Sequence, residues 1–175
     1  MITKPFLLII DGPMGSGKST IAKLLHPTLP RTAWVGVDRI KWFATNIKRS
    51  VKDNAMAYSV ALAMADTYAR HGMNIFFAQA FMKERGIPVD PIFALAKKYS
   101  MRLFIYRLTA PHKILLARAL ARPQASLAKT PLTKSRILMN LRVYAKQPRL
   151  PVPIFDSSKL SAEQIVAIIQ KNTLS

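Results

Sequence analysis

The sequence predicts an α/β fold with a mostly parallel sheet, and three observations carry that reading. Short apolar runs alternate with longer amphipathic stretches along the chain, the pattern of strands joined by crossover helices. The first run, Phe6-Leu7-Leu8-Ile9-Ile10, is apolar at every position, as a strand covered on both faces requires. Half of the 175 residues are apolar (50%), enough to fill the core of such a sheet. Neither an internal repeat nor a linker-like stretch interrupts the pattern, so the chain reads as one domain over residues 1–175.

Each element follows in order. Pro5 and Gly12 bound the first strand. Gly17 to Leu25 reads as a helix stopped by Pro27 and Pro30, and Ala33 to Val37 as a second strand closing at Asp38. Asn54 to His71 is a long helix rich in Ala and Met, ended by Gly72. Its Met- and Ala-rich face is assigned to the core. Asn74 to Ala78 is the third strand and Pro91 to Tyr99 the next helix. Met101 to Leu108 makes the fourth strand. Pro111 suits the first turn of a helix reaching Arg122, where its missing N–H costs nothing. Leu132 to Ala145 is helical, Val152 to Phe155 is the fifth strand, and Ala162 to Lys171 the last helix, with Ser161 as N-cap.

Composition narrows the class. There is no cysteine, which removes disulfide scaffolds, thiol catalysis and Cys-based zinc sites together. The three histidines, His26, His71 and His112, are scattered without metal-ligand spacing. No apolar run approaches the ~20 residues needed to span a bilayer, and the N-terminus lacks a cleavable-leader pattern. A soluble, cytoplasmic protein without membrane association is expected. Twenty-seven Lys and Arg against eight Asp and Glu give a net charge of +19. From Pro91 through Phe155 there is no acidic residue, and a second acid-free stretch after Asp38 holds Arg39, Lys41, Lys48, Arg49 and Lys52. A polyanionic partner is expected: a phosphorylated metabolite, a nucleotide or a nucleic acid. A solvated charged face gives the same composition.

The chemistry is concentrated at the first strand–helix junction. Gly12-Pro13-Met14-Gly15-Ser16-Gly17-Lys18-Ser19 matches G-x-x-x-x-G-K-[ST], follows a strand pattern and opens a helix pattern that continues through Thr20. Glycines let the backbone turn its amides inward around phosphate oxygens, where side chains would intrude. The helix N-terminus adds unpaired N–H groups and the positive end of its dipole. Lys18 supplies a point charge for the β- and γ-phosphates, and the Ser19 hydroxyl is the candidate Mg²⁺ ligand. Three of the six glycines in the chain fall in this loop.

Ile9 to Lys23 resembles the nucleotide-binding loop of P-loop NTPases, and more narrowly of small P-loop kinases. That group takes in nucleoside and small-molecule kinases, the zeta-toxin and chloramphenicol phosphotransferase type, and polynucleotide kinase. The order of elements extends the resemblance over nearly the whole chain. It implies a three-layer α/β/α fold with a five-stranded parallel sheet, ATP and Mg²⁺ as cofactors, and a helical lid at about 118–136. Signalling GTPase signatures are missing: no Asp is followed by Gly three residues later, and Asn-Lys-x-Asp does not occur.

Asp38 and Arg39 stand where the second strand is expected to end, and ligands of doubly wound sheets sit at the carboxyl ends of strands. Many small P-loop kinases carry an Asp there, often with an Arg nearby. The resemblance implies that Asp38 orients the attacking hydroxyl and Arg39 holds an anionic acceptor or the transferring phosphoryl group. Simple capping of a following helix is the other reading of Asp38. Relatives usually also carry a metal-binding carboxylate after the third strand. Here the sequence runs Phe76-Phe77-Ala78-Gln79-Ala80-Phe81, and Gln79 can hold a metal-bound water but supplies no charge. That leaves Asp38 alone, or Asp11, to serve the metal. Leu108-Thr109-Ala110-Pro111, followed by Arg118 and Arg122, resembles the passage from strand to lid. The two arginines are four apart and share a helix face. In the lid they stabilise the transferring phosphoryl group; otherwise they solvate an outer face. Arg136 and Arg142 are weaker candidates for that role, and Ser157 and Ser158 for the base pocket.

The expected function is therefore an ATP-dependent kinase acting on a hydroxyl of a small-molecule or nucleic-acid acceptor, itself anionic. The alternative is a nucleotide-binding or nucleic-acid-binding module of weak or no turnover, motivated by Gln79 and the charge.

Overall fold

The computed structural model describes residues 4–48, 50–121, 132–148 and 150–174. Strands β1 (Phe6–Asp11), β2 (Thr32–Val35), β3 (Asn74–Ala78), β4 (Arg102–Thr109) and β5 (Ile154–Asp156) form one sheet in the order β2-β3-β1-β4-β5. Every pairing is parallel. All strand ends therefore point the same way, and the loops following them gather along one edge of the sheet.

The centre of the sheet belongs to β1, every residue of which is buried. Its side chains alternate between faces, as the two-residue repeat of a strand demands. Leu7 and Ile9 enter a core built with α3 (Val51–Arg70) and α4 (Asp90–Lys98). Phe6, Leu8 and Ile10 enter a second core with α1 (Lys18–Leu25) and α7 (Ala162–Leu174). Helices on both faces make the three layers. A third, smaller core joins α5 (His112–Ala121) to α6 (Lys134–Ala145), with Met14 packed against it. No helix among the described residues is long and apolar enough to cross a membrane.

Small side chains set the fit of α3. Ala57, Ala61, Ala65 and Ala69 recur every four residues and are all buried, so the helix lies close on the sheet. It begins at Val51, ahead of the expected Asn54, because the Ser50 hydroxyl accepts the Asp53 N–H at 3.0 Å and caps the first turn. Ser161 caps α7 as expected: it accepts from Gln164 N–H at 3.2 Å, while its own N–H donates to Gln164 Oε1 at 2.9 Å.

The second strand is shorter than its apolar pattern suggests. Pairing with β3 ends at Val35↔Phe77. Past Gly36 the chain turns into α2 (Val37–Ile40), a single helical turn with Asp38 in it. The buried Val37 and Ile40 are three apart, a spacing that a helical turn places on one face and a strand does not.

Candidate active site

Asp11 ends β1, and the chain reverses through 12–17 into α1. Gly17 adopts the left-handed conformation (φ 93°) at the start of the helix, and no side chain caps the first turn. The first turn also contains no carboxylate, so the positive end of the helix dipole has no local counter-charge. A Cβ built on Gly17 would meet nothing within 4 Å; the space above the loop is open to a ligand that a side chain would exclude. Lys18 Nζ donates to Gly12 O at 2.7 Å and Pro13 O at 2.8 Å, which folds the ammonium over the loop. Amides, dipole and ammonium together fit a phosphate.

Above the loop lies a cavity of about 510 Å³. Gly15, Lys18, Ser19 and Thr20 form its floor. Asp38, Lys41 and Asn54 come from the segments after β2, and Gln79 and Arg85 from those after β3. Arg118 comes from α5, while α6 contributes Arg136, Asn140 and Tyr144. These last three recur every four residues, which places them on one helix face.

One wall is fixed to the foot of the loop by a buried charge. Asp11 is 5% exposed and its carboxylate is surrounded. Arg107 Nε and Nη2 each approach Oδ2 at 3.2 Å, Tyr144 Oη donates to Oδ2 at 2.7 Å, and Phe81 N–H donates to Oδ1 at 3.3 Å. Burial, then the Asp11 charge, pushes the Tyr144 phenol well above its ordinary range, so it stays a donor at any working pH. Asp11 is thus committed to structure rather than to the cavity, which it does not line.

With that geometry in hand, comparison decides the family. The profile of the AAA domain family matches residues 7–147, well over half of the chain. The chain belongs to the AAA domain family. A search among curated proteins finds no match. Among solved structures, this AAA domain is similar to a putative kinase from Chloroflexus aurantiacus at 18% identity and a TM-score of 0.70, covering 97% of this chain and 98% of that one. It is also similar to the tunicamycin resistance protein of Deinococcus radiodurans (16% identity, TM-score 0.65, covering 96% and 95%). An APS kinase of Mycobacterium tuberculosis, solved with AMPPNP and APS, aligns at 14% identity and a TM-score of 0.66, covering 98% and 99%. At such identities the likeness is one of fold, and the fold is that of small P-loop kinases.

Within the AAA domain the expected residues separate. Met14, Gly15, Gly17, Lys18, Ser19, Thr20, Asp38 and Arg118 line the cavity. Gly12, Pro13 and Ser16 are buried beneath it. Arg39 leaves the cavity: its guanidinium carbon lies 3.8 Å from the centroid of the Trp34 ring, on the side of the sheet packed by α1. In a helical turn consecutive side chains diverge by about 100°, so Asp38 and Arg39 cannot share one direction. Arg118 donates to Ser157 Oγ at 3.0 Å and Ser157 O at 3.1 Å, which ties α5 to the turn after β5. Arg122 lies outside the described residues, as does residue range 122–131 of the expected lid. Arg136 lines the cavity and Arg142 does not. Lys41, Asn54, Arg85, Asn140 and Tyr144 escaped the sequence reading as site residues. Only α6 carried a usable signal, the four-residue recurrence of polar side chains through Arg136, Asn140 and Tyr144.

Proposed function

We propose that this AAA domain is a phosphotransferase that moves the γ-phosphoryl group of ATP to a hydroxyl of a small-molecule acceptor. One observation carries the reading: Asp38 faces the same cavity as the Lys18 loop, a carboxylate opposite a phosphate cradle. Lys18 leaves the loop carbonyls for the phosphates, and Asp38 orients the acceptor hydroxyl and takes its proton as it attacks. Arg118 and Arg136 line the same cavity and offset charge on the transferring group. Mg²⁺ would be held by Ser19, with Asp38 and Gln79 within the same cavity for its waters; when bound it neutralises phosphate charge. Among the described residues no group of three or more His, Asp or Glu gathers into a metal cluster. Likeness in fold to solved kinases supports the reading. The lid role of the segment at about 118–136, the single catalytic unit over 1–175 and the cytoplasmic setting belong to the same proposal.

The test is ATP consumption with Mg²⁺ across nucleosides, 5′-hydroxyl oligonucleotides, sugars and aminoglycosides. Acceptor-dependent transfer is expected to fall by about 10²–10⁴-fold in Asp38→Asn, the range for loss of a general base. Lys18→Ala is expected to lose nucleotide binding as well. Gln79 in place of a carboxylate favours a second reading, a nucleotide-binding module without turnover. Retained Mg-ADP binding with no transfer to any acceptor would select it.

A further inference from the structure

We infer that Tyr144 and Gln147 are positioning residues for phosphoryl transfer: they moor the carboxyl end of α6 to the ends of β1 and β3 and so aim Arg136, two turns away, into the cavity. This rests on the phosphotransferase reading, in which Arg136 offsets charge on the transferring group. The first ground is how α6 is attached. Its buried apolar residues, Ile137 and Leu141, pack with Leu115 and Ala119 of α5 and with Ala110, none of them in a strand. Apolar packing thus joins α6 to α5, and polar contacts at its carboxyl end join it to the sheet.

Those contacts reach three strands. Tyr144 Oη donates to Asp11 Oδ2 at 2.7 Å, at the end of β1. Just past the helix, Gln147 Nε2 donates to Glu84 Oε2 at 2.6 Å and to Val143 O at 3.1 Å, while its Oε1 accepts from Lys83 N–H at 3.3 Å. One amide therefore satisfies a carbonyl of the last helical turn and grips the turn after β3. Arg107 of β4, itself paired with Asp11, donates to Pro148 O at 3.5 Å.

The anchors are themselves fixed. Asp11 is closed in by Arg107 and the Phe81 N–H, and a buried polar network with its members bonded is rigid. The turn holding Lys83 and Glu84 is closed by two backbone bonds between Met82 and Ile87, of 2.8 and 3.1 Å. At Gly86 (φ 76°) a Cβ would stand 2.9 Å from Val51 O, so this turn lies directly on the start of α3. Leverage makes the mooring matter. Arg136, Asn140 and Tyr144 line the cavity from one face of α6, and Arg136 precedes Tyr144 by eight residues, about 12 Å along the axis. A tilt of about 5° at Tyr144 moves Arg136 by about 1 Å, and misplacement on that order slows a reaction by about 10²-fold.

Steady-state turnover of Mg-ATP, with water or the best acceptor found, tests this in Tyr144→Phe and Gln147→Ala, with thermal unfolding to confirm that each is folded at the assay temperature. Each is expected to lower kcat by about tenfold or more while leaving the KM for ATP and the calorimetric affinity for Mg-ADP within about twofold. A cycle with Arg136→Ala separates positioning from mere stabilisation. On that background either substitution should lower kcat by less than about twofold further, because residues that act through one another do not add. Hydrogen exchange supplies a readout besides turnover: amides of 134–141 should exchange faster in Gln147→Ala, with those of α1 and α3 unchanged. Full additivity with Arg136→Ala, kcat near wild type in both variants, or unchanged exchange along α6 overturns the inference and leaves the kinase reading standing. A wild type that neither binds Mg-ADP nor turns over ATP overturns the kinase reading itself, and this inference with it.

Discussion

Asp11 and Arg107 show what a single buried charge does in this molecule. Both are largely withdrawn from water, with side chains 7% and 12% exposed, and each satisfies the other. Removing one partner of such a pair leaves an uncompensated charge, at a cost of about 3–5 kcal/mol. Asp11→Asn is expected to lower the free energy of unfolding by that amount, measured by urea denaturation. Tyr144→Phe, which removes one donor to a carboxylate, should lose about 1.5–3 kcal/mol. Denaturation of the two variants and their double checks both values, and a shared network predicts less than additive losses. At this scale the sequence was legible where residues are contiguous. The run from Gly12 to Thr20 could be singled out because its residues are contiguous. Lys41, Asn54, Arg85 and Asn140 belong to four separate segments and meet only after folding. Arg39 was misplaced because the turn at Val37 sends it to Trp34.

Among the elements, the end of α4 is tied to α3 by one carboxylate, beside their shared core. Asp66 accepts from Lys98 Nζ at 2.6 Å, Tyr99 Oη at 3.1 Å and Arg70 Nη2 at 3.3 Å. The Lys98 bond first, then those from Tyr99 and Arg70, holds its carboxyl below the ordinary range. The folded protein thus binds fewer protons here than the unfolded chain. The resulting stability is in place above the unfolded carboxyl value of about 4 and drains as pH falls through the lower folded value. Asp66→Asn should therefore melt below wild type at pH 7, with the gap closing below about pH 4 in thermal scans. A second check at this scale is the cap of α7, where Ser161→Ala is expected to cost about 1 kcal/mol. All five strands and the major helices were readable from apolar runs and their punctuation. The boundaries that shifted did so where capping or pairing, rather than hydropathy, decides: Ser50 extended α3 backwards, and the end of β3 pairing cut β2 short.

For the molecule as a whole, the charge of +19 acts at two ranges. Surface cations attract any polyanion and are screened by salt, while the cavity cations act on bound ligand at short range. Single-stranded DNA is expected to bind with a log–log salt slope of about −0.7 per phosphate engaged. Lys18→Ala should leave that slope unchanged while losing Mg-ADP. Fluorescence titration at several salt concentrations separates the two. The parallel architecture was predictable because alternation of strand and helix admits few other arrangements. The order of the strands was not, since it is invisible in hydropathy.

That order, β2-β3-β1-β4-β5, has a consequence for descent. On the phosphotransferase reading, the phosphate cradle hangs from the central strand, whereas Asp38 and Gln79 follow two neighbours on one flank. On that reading a lineage can exchange its acceptor by rewriting two connections, 36–50 and 79–89, without disturbing the loop proposed to hold the donor. Chimeras that trade those connections between members of the fold should inherit the acceptor preference of the donor of the loops and the nucleotide affinity of the host.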